Sequence, residues 1–170
     1  MCIRDRFPER RWGSETSPLR RPLTAFACSG PGSWAIRTLA PLDRRILHSS
    51  GGRYTMLGPI GAPTMLLTTI GRRSGQPRTS PLLYHREDPD LYVVGSNFGQ
   101  EHHPAWTWNL LAHPDCSVNT AGIEVAATAT PVVGAERDRV YAEFERLVRV
   151  YSVYRGRTDR PIRVFRLTAT

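Results

Sequence analysis

The chain contains no lysine: all 23 basic residues are arginine, and against 15 acids they leave a formal charge of +8. Uniform arginine usage points to a GC-rich coding genome rather than to chemistry. Cysteine is scarce. Cys2, Cys28 and Cys116 are odd in number, widely separated and never in a CxxC pair, which speaks against a disulfide framework and for a reducing, cytoplasmic setting. No apolar run approaches the ~20 residues of a membrane span. The stretch Leu23-Thr-Ala-Phe-Ala27 that follows Arg20 and Arg21 is too short for a secretory h-region. Hydrolase signatures are missing too. There is no GxSxG elbow and no cysteine beside a plausible base. His85, His102, His103 and His113 lack the spacing of metal ligands, so no metal is expected. Basic and aromatic residues do not alternate as they would on a nucleic-acid platform, so no nucleic acid is expected either.

What is present amounts to one domain: 170 residues with 40% hydrophobic and 22% charged content, enough to bury a core. The charge is unevenly placed. Residues 1–60 hold 10 arginines against 4 acids, whereas residues 61–170 hold 13 against 11. Residues 1–33, rich in Arg, Pro, Ser and Gly without apolar periodicity, are expected as a basic, disordered arm before a domain spanning 34–170. Over 33–48, Trp34, Ile36, Leu39, Leu42, Ile46 and Leu47 recur at helical spacing. This predicts a helix packed on the domain, with peripheral membrane contact by the N-terminal segment as the alternative.

Further along, Thr64–Ile70 and Arg78–His85 read as strands joined by the turn-rich Gly71–Pro77. Asp88-Pro89-Asp90 turns the chain into a third strand from Leu91, ending in Ser96-Asn-Phe-Gly99. A helix is predicted from Pro104 to Ala112. A second hairpin follows over Cys116–Thr120 and Ile123–Val133, then an amphipathic helix from Gly134 to about Tyr151 and a closing strand over Ile162–Leu167. Hairpins with helices inserted between them give an α+β fold, mainly antiparallel. A small closed or split β-barrel is the economical arrangement.

Two stretches carry chemistry. Gly71-Arg-Arg-Ser-Gly-Gln-Pro-Arg78 sets Arg72, Arg73, Ser74, Gly75 and Arg78 on one turn. Glycine allows close backbone approach, and each guanidinium fork suits phosphate or carboxylate. Charge-assisted bonds of ~1.5–3 kcal/mol each make three of them comparable with the ~8 kcal/mol of micromolar binding before ordering costs. The turn is not a Walker loop, and a solvated basic hairpin is the alternative. The second stretch, Gly95 to Asn109, runs a glycine-bearing loop into a helix start, where exposed N–H groups attract anions and Trp106 and Trp108 supply aromatic surface. Trp106 and Trp108 fit a core role equally well, as do Tyr151 and Tyr154 at i and i+3.

These residues carry a resemblance. Leu66 through Tyr84 with its Gly-Arg-Arg-Ser-Gly-Gln-Pro-Arg turn, Ser96-Asn-Phe-Gly-Gln100, His103-Pro-Ala-Trp106 through Pro114, and Tyr151-x-x-Tyr154 with Arg157-Thr-Asp-Arg160 are similar to the deazaflavin-dependent nitroreductase family over about Leu39–Leu167. That resemblance implies a split β-barrel of the flavin-binding kind and coenzyme F420 as a two-electron donor. It also implies an oxidoreductase that passes hydride to a small electron acceptor: a quinone, enone or nitroaromatic. By motif match, Thr79, Ser80, Pro81 and Leu82 line the coenzyme. Gly95, Ser96, Asn97, Phe98 and Gly99 hold its middle, and Ala105, Trp106 and Asn109 complete the cleft. Tyr151 and Tyr154 face the acceptor as catalytic candidates. Two alternatives stay open: a non-catalytic deazaflavin or anion binder, and an FMN-dependent enzyme on the same barrel.

Overall fold

The computed structural model describes residues 63–120 and 122–170, together with Phe7, Pro8, Thr38, Leu39, Leu42, Arg45, Ile46, Ser49 and Ser50. Six strands, β1 (Thr64–Ile70), β2 (Pro77–Glu87), β3 (Asp90–Val94), β4 (Asp115–Thr120), β5 (Ile123–Val132) and β6 (Val164–Ala169), close into an antiparallel barrel in the order β1-β2-β3-β6-β5-β4. The expected α+β barrel is therefore what forms. Its helices are α1 (Ala105–Ala112), α2 (Gly134–Leu147) and α3 (Val150–Arg155), with a short 3-10 turn at Asn97–Gly99.

Alternation along the strands makes two cores. Met65, Leu67, Leu91, Val93, Phe165 and Leu167 fill the barrel interior. The intervening Tyr92, Val94, Val132 and Val164 face outward, where Val140, Tyr141 and Phe144 of α2 and Tyr151 and Tyr154 of α3 cover them. The helical layer is also pinned by polar contacts. The Tyr92 hydroxyl donates to Glu136 at 3.0 Å, and Arg139 forks onto both carboxylate oxygens of Glu87.

The structure departs from the sequence expectation in three places. The helix expected to run unbroken from Gly134 to Tyr151 ends at Leu147, because β-branched Val148 is extended (φ −145°, ψ 108°). The chain then restarts as α3, and Tyr141 donates its hydroxyl to the Tyr151 carbonyl across the break at 2.9 Å. The last strand lies two residues later than expected, with Leu167 opposite Leu91. Phe7, within the leading arm, is only 2% exposed and belongs to the barrel core, where Arg86 Nη1 donates to its carbonyl at 2.6 Å. At this residue the arm is anchored, and the rest of 1–33, apart from Pro8, lies outside the described residues. Of the helix expected over 33–48, the described Thr38, Leu39, Leu42, Arg45 and Ile46 are helical. Its other positions, and with them the membrane-contact reading, lie outside the described residues. Among the described residues no helix is long and apolar enough to cross a membrane.

Candidate active site

The β1–β2 hairpin presents Arg72, Arg73, Ser74, Gly75 and Arg78 to solvent. Gly75 adopts φ +66°, and a Cβ there would meet nothing within 4 Å, so the turn is open on that side. Among the described residues no carboxylate lies within ion-pairing distance of Arg72, Arg73 or Arg78. The turn is nonetheless held in place. Asn109 of α1, 6% exposed, accepts the Arg72 N–H on Oδ1 at 3.1 Å and donates from Nδ2 to the Thr69 hydroxyl at 3.0 Å. Above it, the Arg72 guanidinium sits 5.3 Å from the Trp108 ring centre, and Arg163 lies over the same ring at 3.8 Å.

Asn109 therefore braces the hairpin from within the protein, with both ends of its amide already engaged. Trp106 is 6% exposed and packs on Phe165 in the barrel core, with ring centres 5.7 Å apart. Ala105 is exposed at the helix start. The four residues of β2 split by strand alternation. Opposite Leu67 and Met65, Ser80 and Leu82 share the barrel-interior face, whereas Thr79 and Pro81 lie opposite Thr68 and Leu66 on the outer face. The Thr68 and Thr79 hydroxyls are bonded there at 2.9 Å. The outer face of β2 therefore presents the side chains of Thr79 and Pro81, whereas those of Ser80 and Leu82 point the other way.

Gly95 to Gly99 form a tight loop after β3. Asn97 (φ 47°), Phe98 (φ 57°) and Gly99 (φ 75°) are successive left-handed residues, a conformation that costs of order 1–3 kcal/mol at a non-glycine position. Gly99 permits close approach to α3: a Cβ there would stand 2.8 Å from Arg157 Cβ and 2.9 Å from the Tyr154 carbonyl. Phe98 meets Tyr154 edge to face at 5.8 Å, and Tyr154 meets Tyr151 at 5.7 Å. Burial pushes the Tyr151 hydroxyl well above the ordinary tyrosine range, the Tyr154 and Tyr141 hydroxyls add to this, and a hydrogen bond from Ser96 pulls the other way. Tyr151 thus stays a neutral hydroxyl. The Cys116 thiol, pushed up to about 12 by burial and then by Asp115, is no nucleophile.

Sequence reasoning assigned no role to Arg160 or Arg163, although Arg160 closes the Arg157-Thr-Asp-Arg160 motif. In the structure they link the two halves of the site. Arg163 donates to the Thr107 hydroxyl at 3.2 Å beneath Trp108. His103 touches Trp108 edge to face at 5.7 Å and receives Arg160 Nη1 on Nδ1 at 3.1 Å. The contacts run unbroken from the arginine hairpin through α1 to the Gly95 loop and the tyrosine pair. A separate recess of about 340 Å³, lined by Arg137, Tyr141, Arg155 and Arg160 among others, lies behind this chain of contacts and shares only Arg160 with it. Among the described residues no cluster of His, Cys, Asp and Glu suits a metal ion.

Comparison with known proteins gives the family. The family model described as F420H(2)-dependent quinone reductase matches residues 40–169. An F420H(2)-dependent quinone reductase of Mycobacterium tuberculosis is 35% identical over 135 residues, which is 76% of this chain and 89% of that protein. Among solved structures, an F420-H2 dependent reductase, FDR-A, superposes with a TM-score of 0.57 at 33% identity, covering 62% of this chain and 93% of that one. A structure described as a domain-swapped dimer superposes with a TM-score of 0.60 at 29% identity, over 81% of this chain and 99% of its own. The chain belongs to the F420H(2)-dependent quinone reductase family of oxidoreductases, with coenzyme F420 as the cofactor that membership implies.

Proposed function

We propose that this protein reduces a quinone with coenzyme F420, holding the coenzyme between the arginine hairpin and the Gly95–Gly99 loop. The observation that carries this reading is the cationic turn itself. Three guanidinium groups, without acidic partners among the described residues, stand on a glycine turn that Asn109 fixes to the same helix whose start adjoins the loop. Such a donor set suits the phosphodiester and carboxylates of a deazaflavin tail. Arg72, Arg73, Ser74, Gly75 and Arg78 bind that tail. Thr79 and Pro81, with the backbone at Ser80 and Leu82, flank the ring system, and Gly95 to Gly99 and Ala105 at the start of α1 complete its bed, while Asn109 holds the hairpin from within and Trp106 supports the helix from the barrel core.

Reduced F420, when bound, supplies the hydride, and the acceptor receives it. The protein's residues orient the acceptor and exclude water. Tyr151, kept neutral by burial, positions the acceptor as a hydrogen-bond donor, and Tyr154 holds the proton that the reduced acceptor needs. Residues 34–170 make up the catalytic domain, with 1–33 an arm attached at Phe7. The family match beginning at residue 40 supports that division.

The test is a titration of the purified protein with oxidised F420 and, separately, FMN, followed by tryptophan quenching and repeated with Arg78→Ala. Micromolar or tighter F420 binding, weakened at least fivefold by the substitution and absent for FMN, is expected. Turnover with menadione should be lost in Tyr154→Phe while F420 binding persists. FMN binding in preference to F420 would overturn the cofactor assignment. F420 binding without turnover of any quinone would leave a binder in place of an enzyme.

A further inference from the structure

Arg160 makes four hydrogen bonds, and none of these partners is an acid. Its Nε donates to the Gln100 carbonyl at 2.7 Å, and its Nη2 donates to the carbonyls of Gly95 (3.1 Å) and Ser96 (2.7 Å). Its Nη1 donates to His103 Nδ1 at 3.1 Å. A guanidinium that spends its donors on three backbone carbonyls of one loop is acting on the shape of that loop.

Peptide planarity gives the consequence. In a trans peptide the carbonyl and the N–H point in opposite directions. Drawing the Gly95 and Ser96 carbonyls onto one nitrogen turns the Ser96 and Asn97 N–H groups to the side away from the guanidinium. Ser96 is right-handed (φ −66°, ψ −34°) and Asn97 left-handed (φ 47°). That succession makes successive amides converge on an electronegative atom. The loop's own backbone bonds run from Gly99 N to Ser96 O and from Gln100 N to Asn97 O, leaving those two amides outside them. Left-handed Asn97 and Phe98 are costly, and Arg160 offsets the cost from outside the loop together with the His102 carbonyl, which accepts Asn97 Nδ2 at 3.0 Å, and Tyr154, which packs on Phe98.

The geometry points to Arg160 as the positioning residue of the coenzyme site, clamping the Gly95–Gln100 loop so that the Ser96 and Asn97 amides face the ligand. This rests on the F420 reading above. Arg160 itself does not touch the coenzyme. Its effect passes through the backbone.

The test compares wild type, Arg160→Ala, Arg160→Lys and, as a stability control remote from the loop, Phe7→Ala. Three quantities are measured at a temperature well below every melting midpoint: the dissociation constant for oxidised F420 by tryptophan quenching, amide exchange over residues 95–100, and kcat and KM for menadione. Arg160→Ala should weaken F420 binding at least tenfold and accelerate exchange across 95–100. Arg160→Lys should recover part of the binding through one or two of the carbonyls. Phe7→Ala should melt earlier yet bind F420 within twofold of wild type. If Arg160→Ala does not fold, Arg160→Lys decides, with at least threefold weaker binding expected. F420 binding in the Arg160 variants no weaker than in Phe7→Ala would overturn the inference alone. A wild type that does not bind F420 would overturn the coenzyme reading and the inference with it.

Discussion

Replacing Asn109 with alanine removes a buried side chain that ties the arginine turn to β1 and α1. Its amide makes two hydrogen bonds, one to the Arg72 N–H and one to the buried Thr69 hydroxyl. Each is worth a net ~1 kcal/mol. Thr69 is 0% exposed and keeps only a long 3.4 Å contact to the Arg78 carbonyl, so part of the desolvation cost of its hydroxyl is added. The sum is ~2–3 kcal/mol. For a chain of this size each kcal/mol lowers the melting midpoint by ~2–4 °C, which puts Asn109→Ala roughly 4–12 °C below wild type. The same change frees the hairpin, so F420 affinity should fall although no ligand-contacting arginine has been touched. Asn109→Asp separates the two effects: it keeps an acceptor for the Arg72 N–H and loses the donor to Thr69, so it should lose stability while holding more of the affinity than alanine does. Differential scanning calorimetry and the quenching titration read both quantities. A midpoint shift below 2 °C for Asn109→Ala would show that the amide is not the brace described.

Three further outcomes are expected. Phe7→Ala should cost ~3 kcal/mol, in the range of buried phenylalanine truncations, and deletion of residues 1–8 should cost at least as much by thermal melting, because it removes the same buried ring. Tyr141→Phe leaves the Tyr151 carbonyl without its hydroxyl donor, which should lower stability by ~1–2 kcal/mol in denaturant titration and loosen the junction of α2 and α3. For pH, His103 is held below its ordinary value of 6.5, first by burial and then by Arg163 and Arg160. Its folded state therefore binds protons less readily than its unfolded state, and the associated stability is present above pH ~6.5 and lost as pH falls below it. Glu87, lowered from 4.5 chiefly by its bond to Arg139, loses its contribution only below that value. Wild type minus His103→Gln, compared between pH 7 and 5, should isolate the His103 term. Identical pH slopes for the two proteins would refute it.

The strands were legible because each alternates or sits between strong turn formers, and the inner and outer cores follow from the same period of two. Leu91 and Val93 enter the barrel while Tyr92 and Val94 face the helices. Closure of β1 on β4 leaves no mark in any local pattern, since it depends on residues some fifty apart, such as Leu67 opposite Val118. The break at Val148 was hidden for another reason: Val140, Phe144, Leu147 and Val148 continue a helical stripe, and only the need for Tyr151 and Tyr154 to reach the barrel face redirects the chain. Phe7 was hidden because the aromatics of the arm, Phe7, Trp12 and Phe26, are too far apart to set a period.

The site shows the same division between what residue types reveal and what distance conceals. Arginines beside glycines could be singled out as a candidate anion site because that chemistry is local to one turn. The groups that hold the turn and the loop in shape act across 37 residues from Asn109 to Arg72 and 65 from Arg160 to Gly95, and in both pairs the partner is a backbone group. A backbone acceptor has no residue identity, so no spacing rule could have paired Arg160 with Gly95 or Asn109 with Arg72. Asn109 entered the sequence reading only as a residue lining the cleft, and Arg160 only as the end of a motif. The fold converts both into supports, one for the arginine hairpin and one for the Gly95–Gln100 loop. Substitutions at these two positions should therefore weaken F420 binding without removing a single ligand contact, whereas Arg78→Ala removes a contact and leaves the fold intact.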